Sequence, residues 1–167
     1  MEPEGVQFLL VRAAEHWFAI ETGQVESLRR RETLYPPRED VPHLVGLLPA
    51  GRGSIPVVDL GSCLGLAPRP NRGDRLILIG EANTTPLAFL VQGVSGPVLV
   101  PWTAIHSLPP LLLHAQQRPV VWGLIEHQHA WLPALDLALV LTQTDVEALQ
   151  AYARAYQGGW DDTAFAA

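Results

Sequence analysis

The sequence predicts an all-β protein built from two related halves and followed by one C-terminal helix. The chain has 167 residues, 48% of them hydrophobic, which is enough for the core of a single domain. Its 15 prolines and 14 glycines occur at short intervals, which favours short strands over long helices. Residues 45–60 also return as residues 122–137, with Gly, Pro and Asp-Leu at the same spacing in both copies. A repeat of this kind indicates two similar structural units.

Each copy of the repeat is preceded by a pair of apolar runs. Residues 8–11 and 17–20 precede the first copy, and residues 76–79 and 87–91 precede the second. Paired apolar runs separated by a short polar segment are typical of β-hairpins. We therefore expect one domain over residues 1–167, with subdomain 1 at about 7–70 and subdomain 2 at about 71–141.

Five other segments of the two halves also have an expected structure. Residues 25–28 extend the sheet, and residues 35–42 form a loop because three prolines there cannot donate ladder hydrogen bonds. The other expectations are a helical turn in 61–66, an exposed connector at 67–74, and an irregular stretch with one short helix at 103–118.

A helix is predicted at about 145–157. Thr144 and Glu147 have capping-box spacing at its start, and Gly158-Gly159 ends it. One helical face carries Val146, Leu149, Ala153 and Tyr156. Residues 158–167 are expected to form a flexible tail.

Charge and composition exclude several classes of partner. The net charge is −6, and the cluster Arg29-Arg30-Arg31 is followed at once by Glu32, so nucleic acid is not an expected partner. No apolar run is long enough to span a bilayer and no secretion signal is recognisable, so direct membrane insertion is not expected. Cys63 is the only cysteine, which fits a reducing compartment. We expect a cytoplasmic protein.

The candidate chemical groups favour structural roles. Asp59 and Asp136 each end an apolar strand, where a carboxylate typically caps the following turn. Cys63 lies among apolar neighbours, which predicts a buried, inert thiol. Four tryptophans are assigned to core or inter-barrel packing, with an exposed anchor as the alternative for the last of them: Trp17, Trp102, Trp122 and Trp131.

His127 and His129 lie beside Glu126, and all three are residue types that bind metals. They fall where a hairpin turn is expected, and no further ligand is evident. We therefore expect no metal and no cofactor. A small metal-dependent enzyme is kept as a third interpretation.

The order of these segments resembles the CheW-like family, the coupling proteins of bacterial chemosensory arrays. The resemblance covers roughly residues 7–141 and consists of a hairpin start, a Gly…Pro-Val-Val-Asp-Leu block, a Val-containing segment and a final Gly…Leu-Asp-Leu. These correspond to residues 8–11 with 18–20 and Val25, to 46–47 with 56–60, to 89–94, and to 123–124 with 135–137. The order and spacing of the four pieces are more specific than any one of them.

The resemblance implies two SH3-like, five-stranded β-barrels and a non-enzymatic scaffold for signal transduction in a chemotaxis or related two-component system. The expected partners are the regulatory domain of a CheA-type histidine kinase and the cytoplasmic tip of a chemoreceptor. The kinase would use the exposed edge of the first barrel, and the receptor would use the groove between barrels. The partner-binding residues implied are Val25, Ser27, Val45, Gly46, Arg52, Gly53, Ile55, Val91 and Val94.

This chain departs from the family pattern at the position of a partner-binding arginine. An ungapped alignment places Gly51 there, whereas a shift of one residue places Arg52 there. Gln92 and Ser27 stand where the family often has acidic residues. The alternative function is therefore a diverged adaptor that has lost receptor binding and recruits another partner, for example in a pilus-motility pathway, with the C-terminal helix covering or replacing one binding edge.

Overall fold

The chain folds into two curled β-sheets and a C-terminal helix. A computed structural model describes residues 4–30, 34–38, 40–51, 53–66, 76–82 and 85–155. The strands are β1 (Gly5–Ala13), β2 (His16–Glu21), β3 (Val25–Arg30), β4 (Leu44–Ala50), β5 (Gly53–Asp59), β6 (Leu76–Ala82), β7 (Thr85–Val91), β8 (Gly93–Pro101), β9 (Ile105–Ser107), β10 (Val121–His127) and β11 (Ala130–Leu135). The helices are α1 (Leu60–Cys63), α2 (Pro110–Ala115) and α3 (Gln143–Ala155).

The first sheet has the strand order β8-β1-β2-β11-β10-β9, and the second has the order β3-β6-β7-β5-β4. The predicted all-β class with two barrel-like sheets and a C-terminal helix is confirmed. The first sheet has six strands, because the short β9 pairs with β10 in a stretch predicted to be irregular. The short helix predicted in that stretch is α2, and the helical turn predicted after β5 is α1.

The two sheets exchange their hairpins, so they do not follow two consecutive halves of the chain. The β1–β2 hairpin pairs with β8 and, in parallel, with β11, while the β6–β7 hairpin pairs with β3 and, in parallel, with β5. Each sheet therefore contains strands from both sides of the boundary predicted near residue 70. A sequence repeat shows which segments are alike. It does not show which strands they pair with, because each of two similar hairpins can occupy the position of the other.

The repeat does have matching local geometry in the two sheets. A register shift interrupts β4–β5 between Leu44 and Gly46, and the same irregularity interrupts β10–β11 between Val121 and Gly123. A Cβ atom on Gly46 would lie 2.7 Å from the carbonyl oxygen of Tyr35, and one on Gly123 would lie 2.8 Å from that of His106. Glycine therefore recurs because another segment of backbone approaches closely in each copy.

Both repeated aspartates cap a turn, as predicted. The Asp59 carboxylate accepts a hydrogen bond from the Ser62 backbone N–H at 2.8 Å, and Asp136 accepts one from the Ala138 N–H at 3.0 Å. Each caps the first turn of a short helix that follows its strand. The two carboxylates are accounted for by this structural role.

A shared hydrophobic core joins the sheets. It contains Ile20 and Val11 from the first sheet, Val58 and Phe89 from the second, and Leu149 from α3. Each sheet also has a smaller core of its own. Phe8 and Ile125 belong to that of the first sheet, and Leu48 and Val57 to that of the second. The two sheets are thereby stabilised as one unit.

Helix α3 packs on the second sheet. Its buried residues are Val146, Leu149, Tyr152 and Ala153, and the last two contact Tyr35 and Leu47. The helix begins two residues earlier than predicted, because Thr142, not Thr144, accepts a hydrogen bond from the Asp145 N–H at 3.0 Å.

Some predictions concern residues outside those that the structure describes. These are the connector at 67–74, Arg52, the helix end at 156–157 and the tail at 158–167. They stay predictions.

Candidate partner-binding surfaces

The β4–β5 hairpin carries most of the residues predicted for the first partner. Val45 lies at the register shift of β4, and Ile55 pairs with Leu48 across the hairpin. Both side chains are half-buried and pack against the small core of the second sheet. Gly46 is buried, whereas Gly53 is half-buried beside the hairpin turn. The partly accessible side chains of Val45 and Ile55 are therefore the apolar patch that this hairpin offers to a partner.

The outer edge of β4 is already partly occupied. The Tyr35 N–H donates to the Leu47 carbonyl oxygen at 2.8 Å, and the Leu47 N–H donates to that of Tyr35 at 2.9 Å. Tyr152 of α3 packs in the same cluster, and its hydroxyl accepts a hydrogen bond from the Arg38 N–H at 2.6 Å. A partner strand cannot extend the sheet at Leu47 without displacing these contacts.

The opposite edge of this sheet is β3, which contains Val25 and Ser27. Burial alternates along the strand, so both face inward and are half-buried, while Leu28 is 43% exposed. Val25 packs against the shared core. Among the described strands β3 pairs with β6 alone. Within the described sheet, β3 is thus the edge strand opposite β4.

The two remaining predicted residues differ in exposure. Val94 lies on β8, pairs with Val11 and is half-buried. Val91 is only 2% exposed and belongs to the shared core. Val91 has almost no side-chain surface to offer a partner, and its evident role is internal packing.

A cleft lies between the sheets, where the resemblance implied a groove, but none of the residues that line it was predicted as a binding residue. This inter-sheet groove has a volume of about 470 Å³ and is lined by Gly23, Gln24, Glu26, Asp136 and Ala138. Gln24 fixes one wall, because its side-chain oxygen accepts a hydrogen bond from the Leu137 N–H at 2.8 Å. The groove lies where the chain crosses from β2 to β3, and no sequence motif marks that crossing.

A second cleft adjoins the inter-sheet groove, and we call it the tryptophan groove. Its volume is about 390 Å³, and it shares Gln24 and Asp136 with the first cleft. Its other lining residues are Val6, Glu21, Trp102, Ile105 and Trp122.

The tryptophans are more exposed than predicted. Trp17, Trp102 and Trp131 are 39%, 59% and 55% exposed, so the assignment of the first two to core packing is wrong. Trp122 is half-buried and stacks on Phe8 with ring centroids 6.2 Å apart. Position in the sequence alone could not distinguish the exposed tryptophans from the half-buried one, because a tryptophan at the end of a strand can face either the core or solvent.

The histidines lie near the tip of the β10–β11 hairpin. Gln128 and His129 form its turn with positive φ angles, and His127 pairs with Ala130. Within the described part of the chain, no three His, Cys, Asp or Glu side chains group as a metal site would require. The His106 ring instead contacts the Trp131 ring, with centroids 4.9 Å apart, and its Nε2 lies 3.5 Å from Oε2 of Glu126.

Cys63 has an environment that suppresses its reactivity. Burial, with the nearby carboxylates of Asp59 and Asp145, raises the pKa of its thiol to about 12. We expect the folded protein to react with a thiol reagent at pH 8 far more slowly than the urea-unfolded protein, because only the thiolate is nucleophilic. Equal rates in the two states would contradict this placement.

The same pKa predicts a loss of stability in alkali. Below pH 9 the thiol is protonated in both states, and between pH 9 and about 12 only the unfolded state has lost its proton. Folding stability should therefore fall as pH rises through this window. Urea unfolding of the Cys63→Ala variant, compared with the parent at pH 7 and pH 10, isolates this contribution because an alanine side chain cannot titrate.

Comparison with known proteins adds to this geometry. The model of the CheW-like domain family matches residues 7–148. The chain belongs to the CheW-like domain family. The scaffolding protein TtCheW from Thermoanaerobacter tengcongensis has a similar structure, with a TM-score of 0.70 and 17% sequence identity over 81% of this chain and 92% of that chain. At this identity the similarity to TtCheW shows a common fold.

No curated protein matches this CheW-like chain in sequence. Among the helices of its described residues, none has the length and apolar character needed to cross a bilayer. The CheW-like family is one of non-enzymatic scaffolds.

Proposed function

We propose that this CheW-like protein is a cytoplasmic, non-enzymatic adaptor that couples a chemoreceptor to a CheA-type histidine kinase. Membership of the family over residues 7–148 is the observation that carries the proposal. Two candidate surfaces on sheets that share one hydrophobic core support it, because a coupling protein must hold two partners in fixed relative positions. One is the patch at the β4–β5 hairpin, and the other is the inter-sheet groove with the edge of β3.

The hairpin patch is assigned to the kinase. Val45 and Ile55 supply half-buried apolar surface, and Arg52 directly precedes Gly53 in the sequence. A small apolar patch suits a modest interface, and we assign Arg52 to it from the family resemblance because a guanidinium pairs well with a carboxylate on a partner. Simultaneous contacts in an assembled array would strengthen such an interface.

The inter-sheet groove is assigned to the receptor. Val25 and Ser27 lie on β3, directly after the segment that contributes Gly23 and Gln24 to the groove. Val94 belongs to the other sheet and packs against the shared core that Val25 also contacts. Under this assignment, the groove together with Val25, Ser27 and Val94 forms the receptor surface.

Reversal of the charge at Arg52 tests the kinase assignment. We expect Arg52→Glu to weaken binding to the kinase regulatory domain about tenfold or more, equivalent to about 1.4 kcal/mol. The matched control is Arg154→Glu, an equal charge change at an exposed position on α3. Calorimetric titration gives the affinities, and circular dichroism checks the fold. Unchanged affinity and an unchanged spectrum for Arg52→Glu would contradict the alignment that places Arg52 at the family arginine.

A specific observation favours the second candidate, a diverged adaptor. Helix α3 and Tyr35 cover the edge of β4, so part of the proposed kinase edge is masked by the chain itself. Removing α3 would also uncover the shared core, so a deletion cannot separate partner loss from unfolding. Ala151→Arg on the exposed face of α3 is the better probe. Reduced binding to a partner other than the kinase, with kinase binding unchanged, would favour the diverged adaptor.

A further inference from the structure

The tryptophan groove has a rigid wall. Trp122 stacks on Phe8 with an interplanar angle of 25°, and Phe8 is fully buried in the core of the first sheet. Val6 and Ile105, which also line the groove, pack against that same core. The apolar floor is therefore held in place before any partner arrives, which lowers the entropic cost of binding.

The other wall presents a large exposed ring. Trp102 is 59% exposed, although it lies beside a cleft of about 390 Å³. Tryptophans in such positions are enriched among residues that dominate binding energy. The volume is near the lower end of the range for ligand pockets, so it suits one or two large side chains from a protruding segment.

The rim of the tryptophan groove is acidic, which favours a positively charged partner. Glu21 and Asp136 line the groove, Glu26 lines the adjoining cleft, and no Lys or Arg is among the described residues that line either cleft. The face of a tryptophan ring also attracts an ammonium or guanidinium group. Both the carboxylates and the ring faces therefore favour a positively charged side chain. An apolar side chain beside it would fill the floor of the groove.

We propose that the tryptophan groove docks a basic partner segment, in which one large apolar side chain enters between Trp102 and Trp122 and a flanking Lys or Arg meets Glu21 and Asp136. This goes beyond the coupling role and does not depend on it. Two other occupants are disfavoured by charge. The chain's own tail contains Asp161-Asp162, and a second copy carries a net charge of −6.

The test uses the full chain with its tryptophans labelled with nitrogen-15, so that indole N–H signals report each ring by NMR. The probes are the blocked peptide Lys-Arg-Phe-Leu-Arg-Lys and its acidic counterpart Glu-Asp-Phe-Leu-Asp-Glu. We expect the basic peptide to shift the signals of Trp102 and Trp122, and to leave those of Trp17 and Trp131 in place. Added salt should weaken the effect.

Two variants and one control accompany the titration. Trp102→Ala removes an exposed ring, and Glu21→Lys reverses a rim charge at a residue whose side chain makes no capping hydrogen bond. Each should weaken binding of the basic peptide about tenfold, which is equivalent to about 1.4 kcal/mol. Trp131→Ala removes an equally exposed ring elsewhere and should leave affinity unchanged.

Several outcomes would overturn the proposal. These are equal binding of the acidic peptide, equal shifts at Trp131, or no shift at millimolar basic peptide. A Trp102 signal that moves with protein concentration alone would assign the groove to a second copy. One that moves in the Trp160→Ala variant would assign it to the chain's own tail.

Discussion

Leu149→Asp is expected to unfold the protein. Leu149 is 1% exposed and joins α3 to the shared core between the two sheets. The substitution removes buried apolar contacts and places a carboxylate among buried hydrophobic side chains. The combined cost exceeds about 5 kcal/mol, which is comparable with the whole stability of a typical domain. Circular dichroism at 25 °C should show loss of the folded spectrum.

Ala151→Asp is the matched control for this prediction. It introduces the same side chain on the same helix, but at an exposed position. Its cost should stay below about 1 kcal/mol, from helix propensity and the unfavourable dipole interaction alone. If Leu149→Asp unfolded no more readily than Ala151→Asp, α3 would not be docked on the sheet in solution.

Phe89→Ala should have the second largest effect. Phe89 is 1% exposed at the centre of β7, and its neighbours in the shared core come from both sheets. Deleting a buried phenyl ring costs about 3–5 kcal/mol, because transfer energy is lost and a cavity remains. Urea unfolding monitored by circular dichroism should show a correspondingly lower midpoint, with one cooperative transition because both sheets share this core.

The control for Phe89→Ala is Trp131→Ala, which deletes a larger ring at a position that is 55% exposed. We expect a change within about 1 kcal/mol there. Two separate transitions in the Phe89→Ala variant would mean that the sheets fold independently, contrary to a single shared core.

The sequence predicted local structure better than it predicted pairing. The spacing of Gly46 with Asp59, and of Gly123 with Asp136, identified the repeat, and both carboxylates cap turns as expected. No pattern in the sequence indicated the exchange of hairpins between the sheets, because the pairing of β2 with β11 depends on contacts between residues more than a hundred positions apart. Because the two hairpins are similar in sequence, tertiary packing determines which strands each of them pairs with.

The candidate surfaces were predicted only in part. Val25, Val45 and Ile55 lie on accessible strands, but Val91 is buried. An alternating apolar pattern tells which side chains share a face, and not whether a second sheet covers that face. The lining residues of both clefts were missed for a related reason, since each cleft includes residues from the crossing between β2 and β3 and residues that follow β11.

One measurement tests the proposed coupling role most directly. The protein is titrated calorimetrically into the regulatory domain of a CheA-type kinase from the same organism, then into a receptor cytoplasmic fragment, and finally into the fragment with the kinase domain already bound. The proposal predicts binding near micromolar to each partner, and binding of the receptor fragment to the preformed kinase complex. Binding to the kinase alone would favour the diverged adaptor, and failure to bind either partner would contradict the coupling role.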